Sequence, residues 1–134
     1  SMVAKDEFTA ACQALGKNDP RHTRLNLADY GTLLLFDWKR IQQFVKALEK
    51  NTFVEDLTLS SENLSVQSTL QLSHFLRTSP SLRCLEMRSE EQYSTEDEEM
   101  DAIKASIVFE SISRRSLLTK LTLRDVCFGE DCPL

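Results

Sequence analysis

Residues 47–60, ALEKNTFVEDLTLS, decide the fold of this chain. The stretch joins the end of an amphipathic helix, a short polar turn and the beginning of a strand. Leu48 closes the helical pattern, and Asn51 and Thr52 interrupt it. The apolar residues that follow, V-x-x-L-x-L, alternate as in a strand with one buried face. The stretch therefore predicts a helix that turns directly into a strand.

The same helix-to-strand joint recurs along the chain. Clear copies are RTSPSLRCLEMR at 77–88 and SRRSLLTKLTLR at 113–124, and NDPRHTRLNLAD at 18–29 is a fainter one. The first core leucine of each predicted strand is Leu25, Leu57, Leu85 and Leu121. These leucines are separated by 32, 28 and 36 residues. Strand–helix units at such intervals are typical of a solenoid, whose neighbouring units stack to bury a shared core.

Periodicity between the joints predicts four helices and four strands. We expect helices over 3–16, 37–50, 65–77 and about 100–115, and strands over 24–27, 55–59, 83–87 and 119–123. Asp37 and Ser65 are candidate N-caps, and Gly16 suits the end of the first helix. The residues predicted to face the core from the last two helices are Val66, Thr69, Leu70, Ser73, Leu76, Met100, Ile103, Ile107 and Ile112, with Leu72, Phe75, Val108 and Phe109 flanking them.

The composition is that of one ordinary globular domain. The 134 residues are 41% apolar and 28% charged, with a net charge of −5, which argues against a nucleic-acid surface. No apolar run approaches the roughly 20 residues that a membrane-spanning helix needs. We therefore expect a cytoplasmic protein with neither a nucleic-acid nor a membrane partner. Ser1-Met2 is interpreted as an expression scar.

The sequence contains none of the common motifs for catalysis or cofactor binding. Phosphate-loop, nucleophile-elbow and zinc-protease patterns are all missing, so we expect no enzyme activity, no catalytic residue, no metal site and no cofactor. The four cysteines, Cys12, Cys84, Cys127 and Cys132, form no C-x-x-C pair. We expect free thiols, with a Cys127–Cys132 disulfide as the alternative in an oxidising compartment.

The joint resembles that of leucine-rich repeats of the ribonuclease-inhibitor-like subfamily. The pattern of a helix ending in leucine, a polar pair with asparagine and then L-x-x-L-x-L matches at Leu48, Asn51, Val54, Leu57 and Leu59. It matches again at Leu76, Leu82, Leu85 and Met87, and at Ile112, Leu118, Leu121 and Leu123. The resemblance implies an α/β fold: a right-handed leucine-rich-repeat solenoid with a curved parallel sheet of about four strands and helices on its convex side. The implied single domain, 3–134, has a capping helix (3–17), repeats at 22–53, 54–81 and 82–117, and a terminal strand and tail at 118–134.

The resemblance also implies a binding surface on the concave face of the sheet. Alternation assigns to that face, as partner-binding residues, Arg24, Asn26, Asp56, Thr58, Glu86, Arg88, Lys120, Thr122 and Arg124, with Ala28, Ser60 and Cys84 in the same rows. We expect Arg24 to lie beside Asp56, and Arg88 beside Arg124. The leading hypothesis is a non-catalytic module that binds a protein through this face and its adjoining loops, although an ordinary solvated face has the same pattern. Some leucine-rich-repeat proteins activate small GTPases, but no residue here can be assigned that role.

Two features depart from the repeat. The segment 89–99, SEEQYSTEDEE, carries six acidic residues and no basic one. It is compatible with a solvated loop that begins a helix, a docking site for a basic partner, or phosphorylation at Ser94 or Thr95. The second feature is the final strand, after which no helix follows. Either Val126, Cys127 and Phe128 cover its edge, or another molecule does, or the chain is a piece of a longer protein. The alternative hypothesis is therefore a structural protein that self-associates or docks through this edge.

Overall fold

Helices and parallel strands alternate along the chain. A computed structural model describes residues 2–30, 38–61, 64–88, 95–113 and 118–124. The helices in these ranges are α1 (Met2–Gly16), α2 (Trp38–Leu48), α3 (Val66–Thr78) and α4 (Thr95–Ile112). The strands are β1 (Arg24–Asn26), β2 (Asp56–Ser60), β3 (Cys84–Arg88) and β4 (Lys120–Arg124), and a 3-10 helix, Leu27–Tyr30, follows β1. The predicted order of elements is confirmed, with bounds that differ by a few residues.

The strands form one parallel sheet in the order β1-β2-β3-β4. Its register places Leu25, Leu57, Leu85 and Leu121 side by side, which confirms the alignment predicted from their spacing. The expected neighbours Arg24 and Asp56 are paired, as are Arg88 and Arg124. The α/β class and the four-stranded parallel sheet are therefore confirmed.

One face of the sheet is buried against the helices. Leu57, Leu59, Leu85 and Met87 are each at most 1% exposed. Consecutive helices contact one another, α1 with α2, α2 with α3 and α3 with α4, so they form a single layer. Each fully buried side chain of this size contributes about 1.5–3 kcal/mol. The opposite face of the sheet, called the open face below, carries the alternate residues of the strands.

Asn51 fastens the joint between α2 and β2. Its side chain is 2% exposed. The amide oxygen accepts hydrogen bonds from the backbone N–H groups of Phe53 (2.9 Å) and Val54 (2.8 Å). The amide nitrogen donates to the carbonyl oxygen of Leu15 at 3.2 Å. One buried side chain therefore shapes the turn into β2 and ties it to the end of α1.

The neighbouring joints repeat the same turn with other polar residues. Ser79 lies 28 residues after Asn51, and its hydroxyl accepts from the N–H groups of Ser81 (3.3 Å) and Leu82 (3.1 Å). At the first joint, a carboxylate oxygen of Asp19 accepts from the N–H of Arg21 at 3.0 Å. Short polar side chains that bond to the backbone two or three residues ahead favour a turn over a continued helix.

Backbone bonds at the entry to each strand are repeated as well. A single carbonyl oxygen accepts from two consecutive N–H groups of the next unit, at 2.8–3.2 Å. The acceptors are Thr23, Glu55 and Arg83, and their donors are Glu55 and Asp56, Arg83 and Cys84, and Thr119 and Lys120. Because each acceptor lies just before a strand, these bonds align the start of each strand with the next.

Helix α1 ends at Gly16, as predicted, and Asn18 makes the reversal that follows. Asn18 has a left-handed φ of 58°, which asparagine tolerates better than most residues. Its N–H donates to Leu15 O (3.1 Å), and the N–H of the next residue donates to Ala14 O (3.0 Å). The side chain of Asn18 exchanges two hydrogen bonds of 2.8 Å with Thr52. Asparagine therefore serves here both as helix stop and as a second tie to the central joint.

Part of the predicted core was wrong for α3 and α4. Leu70 and Ile103 were expected to face the core, but they are 54% and 46% exposed. Phe109, expected to flank the inner face, is 49% exposed. Apolar residues surround both helices, so spacing alone does not determine which stripe is buried. The N-cap at Ser65 is confirmed, since its hydroxyl accepts from Ser68 N at 2.9 Å. Predictions about Gly31, Asp37, 89–94 and the tail 125–134 lie outside the described residues.

The buried hydrogen bonds of Asn51 give a stability prediction. Replacing Asn51 by alanine leaves the N–H groups of Phe53 and Val54 without their acceptor and removes one of two hydrogen bonds to the Leu15 carbonyl, so we expect a loss of about 2–4 kcal/mol. Urea unfolding followed by circular dichroism measures this loss. Gln43→Ala, at an exposed position of α2, is the control and changes the free energy of unfolding by about 0.5 kcal/mol or less. Equal midpoints for the two variants would refute a central role for Asn51.

Candidate functional site

The predicted binding residues lie in rows across the four strands. The first row is Arg24, Asp56, Cys84 and Lys120, the second is Asn26, Thr58, Glu86 and Thr122, and the third includes Ser60, Arg88 and Arg124. Adjacent parallel strands lie about 4.8 Å apart, and alternate residues point to the same face. All nine residues predicted to bind a partner therefore belong to one surface, the open face.

Exposure varies across the open face. Arg24 and Lys120 are exposed, whereas Asp56, Thr58 and Glu86 are half-buried. Ser60, which alternation assigned to this face, is only 3% exposed. β2 contacts the 3-10 helix Leu27–Tyr30, which continues from the carboxyl end of the neighbouring strand. In the third row Ser60 is therefore not accessible, whereas the Arg88 side chain is 31% exposed.

Ion pairs compensate several charges of the open face. Arg24 Nε lies 3.6 Å from Asp56 Oδ2, and the Arg24 side chain is 84% exposed. A pair so exposed contributes only about 0–1 kcal/mol. On β3, Arg88 Nε donates to Glu86 Oε2, and both side chains are less than one third exposed. Within the described residues, Lys120 makes no ion pair, so it presents a charge available to a partner.

A depression lies at the β1–β2 end of the open face. It encloses about 380 Å³ and is lined by Arg24, Leu25, Asn26, Asp29, Asp56 and Thr58. A second depression, of about 390 Å³, shares four of these residues and extends toward α1, where Glu7, Ala10, Ala11, His22 and Tyr30 line it. The sequence prediction included four of the six residues around the first depression and missed Asp29, which follows the strand rather than belonging to it.

The described part of the chain offers neither a cluster of metal ligands nor a membrane-spanning helix. In the ranges that the structure describes, no three histidine, cysteine, aspartate or glutamate side chains are grouped so as to hold a metal ion. None of the described helices is long and apolar enough to cross a bilayer. Cys12 and Cys84 are free thiols. Burial raises the pKa of Cys12 to about 11, which keeps this thiol protonated and weakly nucleophilic near neutral pH.

Lys104 of α4 is a structural residue that sequence reasoning missed. It is 8% exposed, and its ammonium donates to the carbonyl oxygen of Ser61 at 2.8 Å. This bond ties α4 to the carboxyl end of β2, at the border of the open face. The sequence gives one weak sign that Lys104 is buried. It lies on the same helical stripe as Val108 and Ile112 and directly before Ala105, and these three residues are buried. A lysine among such residues is usually expected at the surface.

The comparisons with known proteins concern the fold. No family model and no curated protein matches this sequence. Among solved structures, the chain is similar to leiomodin-1 actin-binding site 2, with a TM-score of 0.61 and 17% sequence identity. The similarity covers 91% of this chain and 66% of that structure, so this chain spans just under two thirds of its length. At this identity, the likeness supports a shared fold alone.

The role of the buried Lys104 ammonium can be tested by a substitution that removes the ammonium and keeps an apolar side chain of similar length. Methionine keeps an unbranched apolar side chain, so Lys104→Met loses the hydrogen bond to Ser61 without opening a large cavity. We expect a loss of about 1–3 kcal/mol in the free energy of unfolding, measured by urea titration. Lys46→Met, at an exposed position of α2, is the matched control. A Lys104→Met protein as stable as this control would contradict the assigned role.

Proposed function

We propose that this chain is a non-catalytic protein-binding module of the leucine-rich-repeat type, which binds a partner through the open face and its adjoining loops. The observation that carries the proposal is the register of the sheet. It brings nine polar or charged residues from strands as far apart as Arg24 and Arg124 onto one surface. Such convergence gives a partner several contacts on a rigid support.

The repeat architecture rests on the recurrence of local structure. Three successive joints carry a polar turn residue, at Asp19, Asn51 and Ser79. Three successive strand entries use one carbonyl for two N–H groups. These recurrences support our classification as a ribonuclease-inhibitor-like leucine-rich repeat, with the right-handed, curved solenoid and concave open face that this class implies.

The size of the open face limits how a partner can bind. Four strands at about 4.8 Å and five residues at about 3.3 Å give a surface of roughly 14 by 17 Å. Its area, roughly 240 Å², is well below the roughly 800 Å² that each partner contributes to a stable interface. The loops that adjoin the open face must therefore contribute to the contact.

Actin is the first partner to test. The similar structure is an actin-binding site of leiomodin-1, and its fold is like that of this chain. The identity of 17% does not carry a binding residue from one protein to the other. Actin is therefore chosen as a starting candidate, and the proposed surface can be tested with any partner that the wild-type chain captures.

A steric block of the open face tests the proposal. Thr58→Tyr combined with Thr122→Tyr places two large, uncharged side chains in its second row, where tyrosine suits a strand. We expect at least a roughly tenfold loss of affinity, because bulky groups would separate the partner from the face. Binding is measured by fluorescence anisotropy with labelled monomeric actin, or with the captured partner if actin does not bind.

The matched control carries the same substitutions on the helical side. Gln43→Tyr combined with Gln71→Tyr adds two tyrosines at exposed positions of α2 and α3. This control keeps wild-type affinity, and circular dichroism verifies the fold of both double variants. If the open-face variant binds as tightly as the control, the open face is not the binding surface.

The second candidate function is association through the edge of the sheet. In the described residues β4 pairs with β3 and with no other strand. Leu121 in β4 and Leu118 just before it are only half-buried. An edge strand with free N–H and C=O groups is a template for another strand. If this edge drives self-association, light scattering will show a dimer, and the Leu121 N–H, which points away from β3, will be protected from hydrogen exchange in that dimer only. A wild-type chain that stays monomeric at high concentration would exclude self-association.

A further inference from the structure

Carboxylates outnumber cations in the depression at the β1–β2 end of the open face. Asp29 and Asp56 line it beside the polar side chains of Asn26 and Thr58. Asp56 is paired with Arg24, whereas Asp29 makes no ion pair within the described residues. Two carboxylates against one guanidinium give the depression a net negative charge, so it favours a cation.

The adjoining depression strengthens the negative potential. It shares Arg24 and Asp29 with the first and adds the carboxylate of Glu7. The two together are lined by three carboxylates, one guanidinium and His22. Tyr30 lines the second depression. Burial raises the pKa of its phenol, and the negative charges of Glu7 and then Asp29 raise this pKa further. A group on the wall of the depressions therefore senses the acidic surroundings.

Arg24 shows which kind of cation the depression can hold. Its guanidinium faces the Asp56 carboxylate at 3.6 Å, longer than a close charge-assisted hydrogen bond, while the side chain is 84% exposed. An exposed arginine held so loosely is easily displaced, since little free energy is lost when the pair opens. The site thus contains an internal, exchangeable guanidinium.

We propose that this depression binds an arginine or lysine side chain of the protein partner, in exchange for Arg24. The inference rests on the proposed function, because it names the chemistry that the partner offers to the open face. Asp56 and Asp29 accept hydrogen bonds from the incoming cation, and Asn26 and Thr58 line the walls beside it. The volume of about 380 Å³ is at the lower end of the range of ligand pockets, about 300–1,000 Å³.

A short peptide tests this inference without the partner. Acetyl-Gly-Arg-Gly-amide is titrated into isotope-labelled protein, and amide chemical shifts are followed by nuclear magnetic resonance. The control peptide carries citrulline, a neutral analogue of arginine of nearly the same shape. We expect the arginine peptide to shift the amides of Asn26, Asp29 and Thr58 with weak, saturable binding, and the citrulline peptide to leave them almost unchanged.

Two substitutions with opposite effects make the test specific. Asp56→Asn removes an acceptor charge and weakens binding of the arginine peptide. Arg24→Gln removes the competing cation and tightens it by about 1.5- to 5-fold, the range that opening an exposed ion pair allows. Glu49→Gln, which removes a carboxylate at an exposed position after α2, is the control and leaves the affinity unchanged.

Failure of the inference can be told apart from failure of the proposed function. Equal shifts with the citrulline peptide, shifts centred outside β1 and β2, or weaker binding by Arg24→Gln would overturn the cation site. The steric double variant on β2 and β4 tests partner binding independently. If that variant loses the partner while the arginine peptide fails to bind, the open face still binds the partner, but by other chemistry.

Discussion

The strands of this sheet must turn the same face toward the helices, and polar turns before β1, β2 and β3 enforce this constraint. A shift of one residue would expose the leucines and bury the charges. Asn51 prevents such a shift at β2, because its buried side chain holds both the turn and the end of α1. The shared carbonyl at Glu55 then transmits the alignment to β3. Local turn chemistry therefore determines the register of the whole sheet.

The same constraint creates the open face. When Leu57 and Leu59 point to the helices, Asp56 and Thr58 must point away from them. The core and the candidate site are thus two consequences of one alternation. The border of the site depends on a different interaction, the bond from Lys104 to Ser61, which connects the helical layer to the end of β2.

Sequence reasoning succeeded where a period and a turn signal agreed. The intervals between Leu25, Leu57, Leu85 and Leu121 predicted the register, because every leucine follows a turn that ends a helix. It failed where apolar residues surround a helix: Ile103 and Ala105 both fit a buried stripe, and packing against α3 selects Ala105. Ser60, Lys104 and Asp29 were misplaced or missed for a related reason. Their surroundings are formed by segments distant in the chain, and no local pattern records those contacts.

The two ion pairs of the open face differ in how easily they can be opened by a competing charge. Glu86 and Arg88 lie on one strand and are less than one third exposed, so opening their pair would leave partly buried charges without partners. Arg24 and Asp56 lie on neighbouring strands, and the exposed guanidinium is solvated whether or not it is paired. The first pair therefore keeps the middle of the face neutral and ordered, while the second can exchange its cation at little cost. If the open face is the binding surface, as proposed, the charge of a partner would be selected at its β1–β2 end and not in its middle.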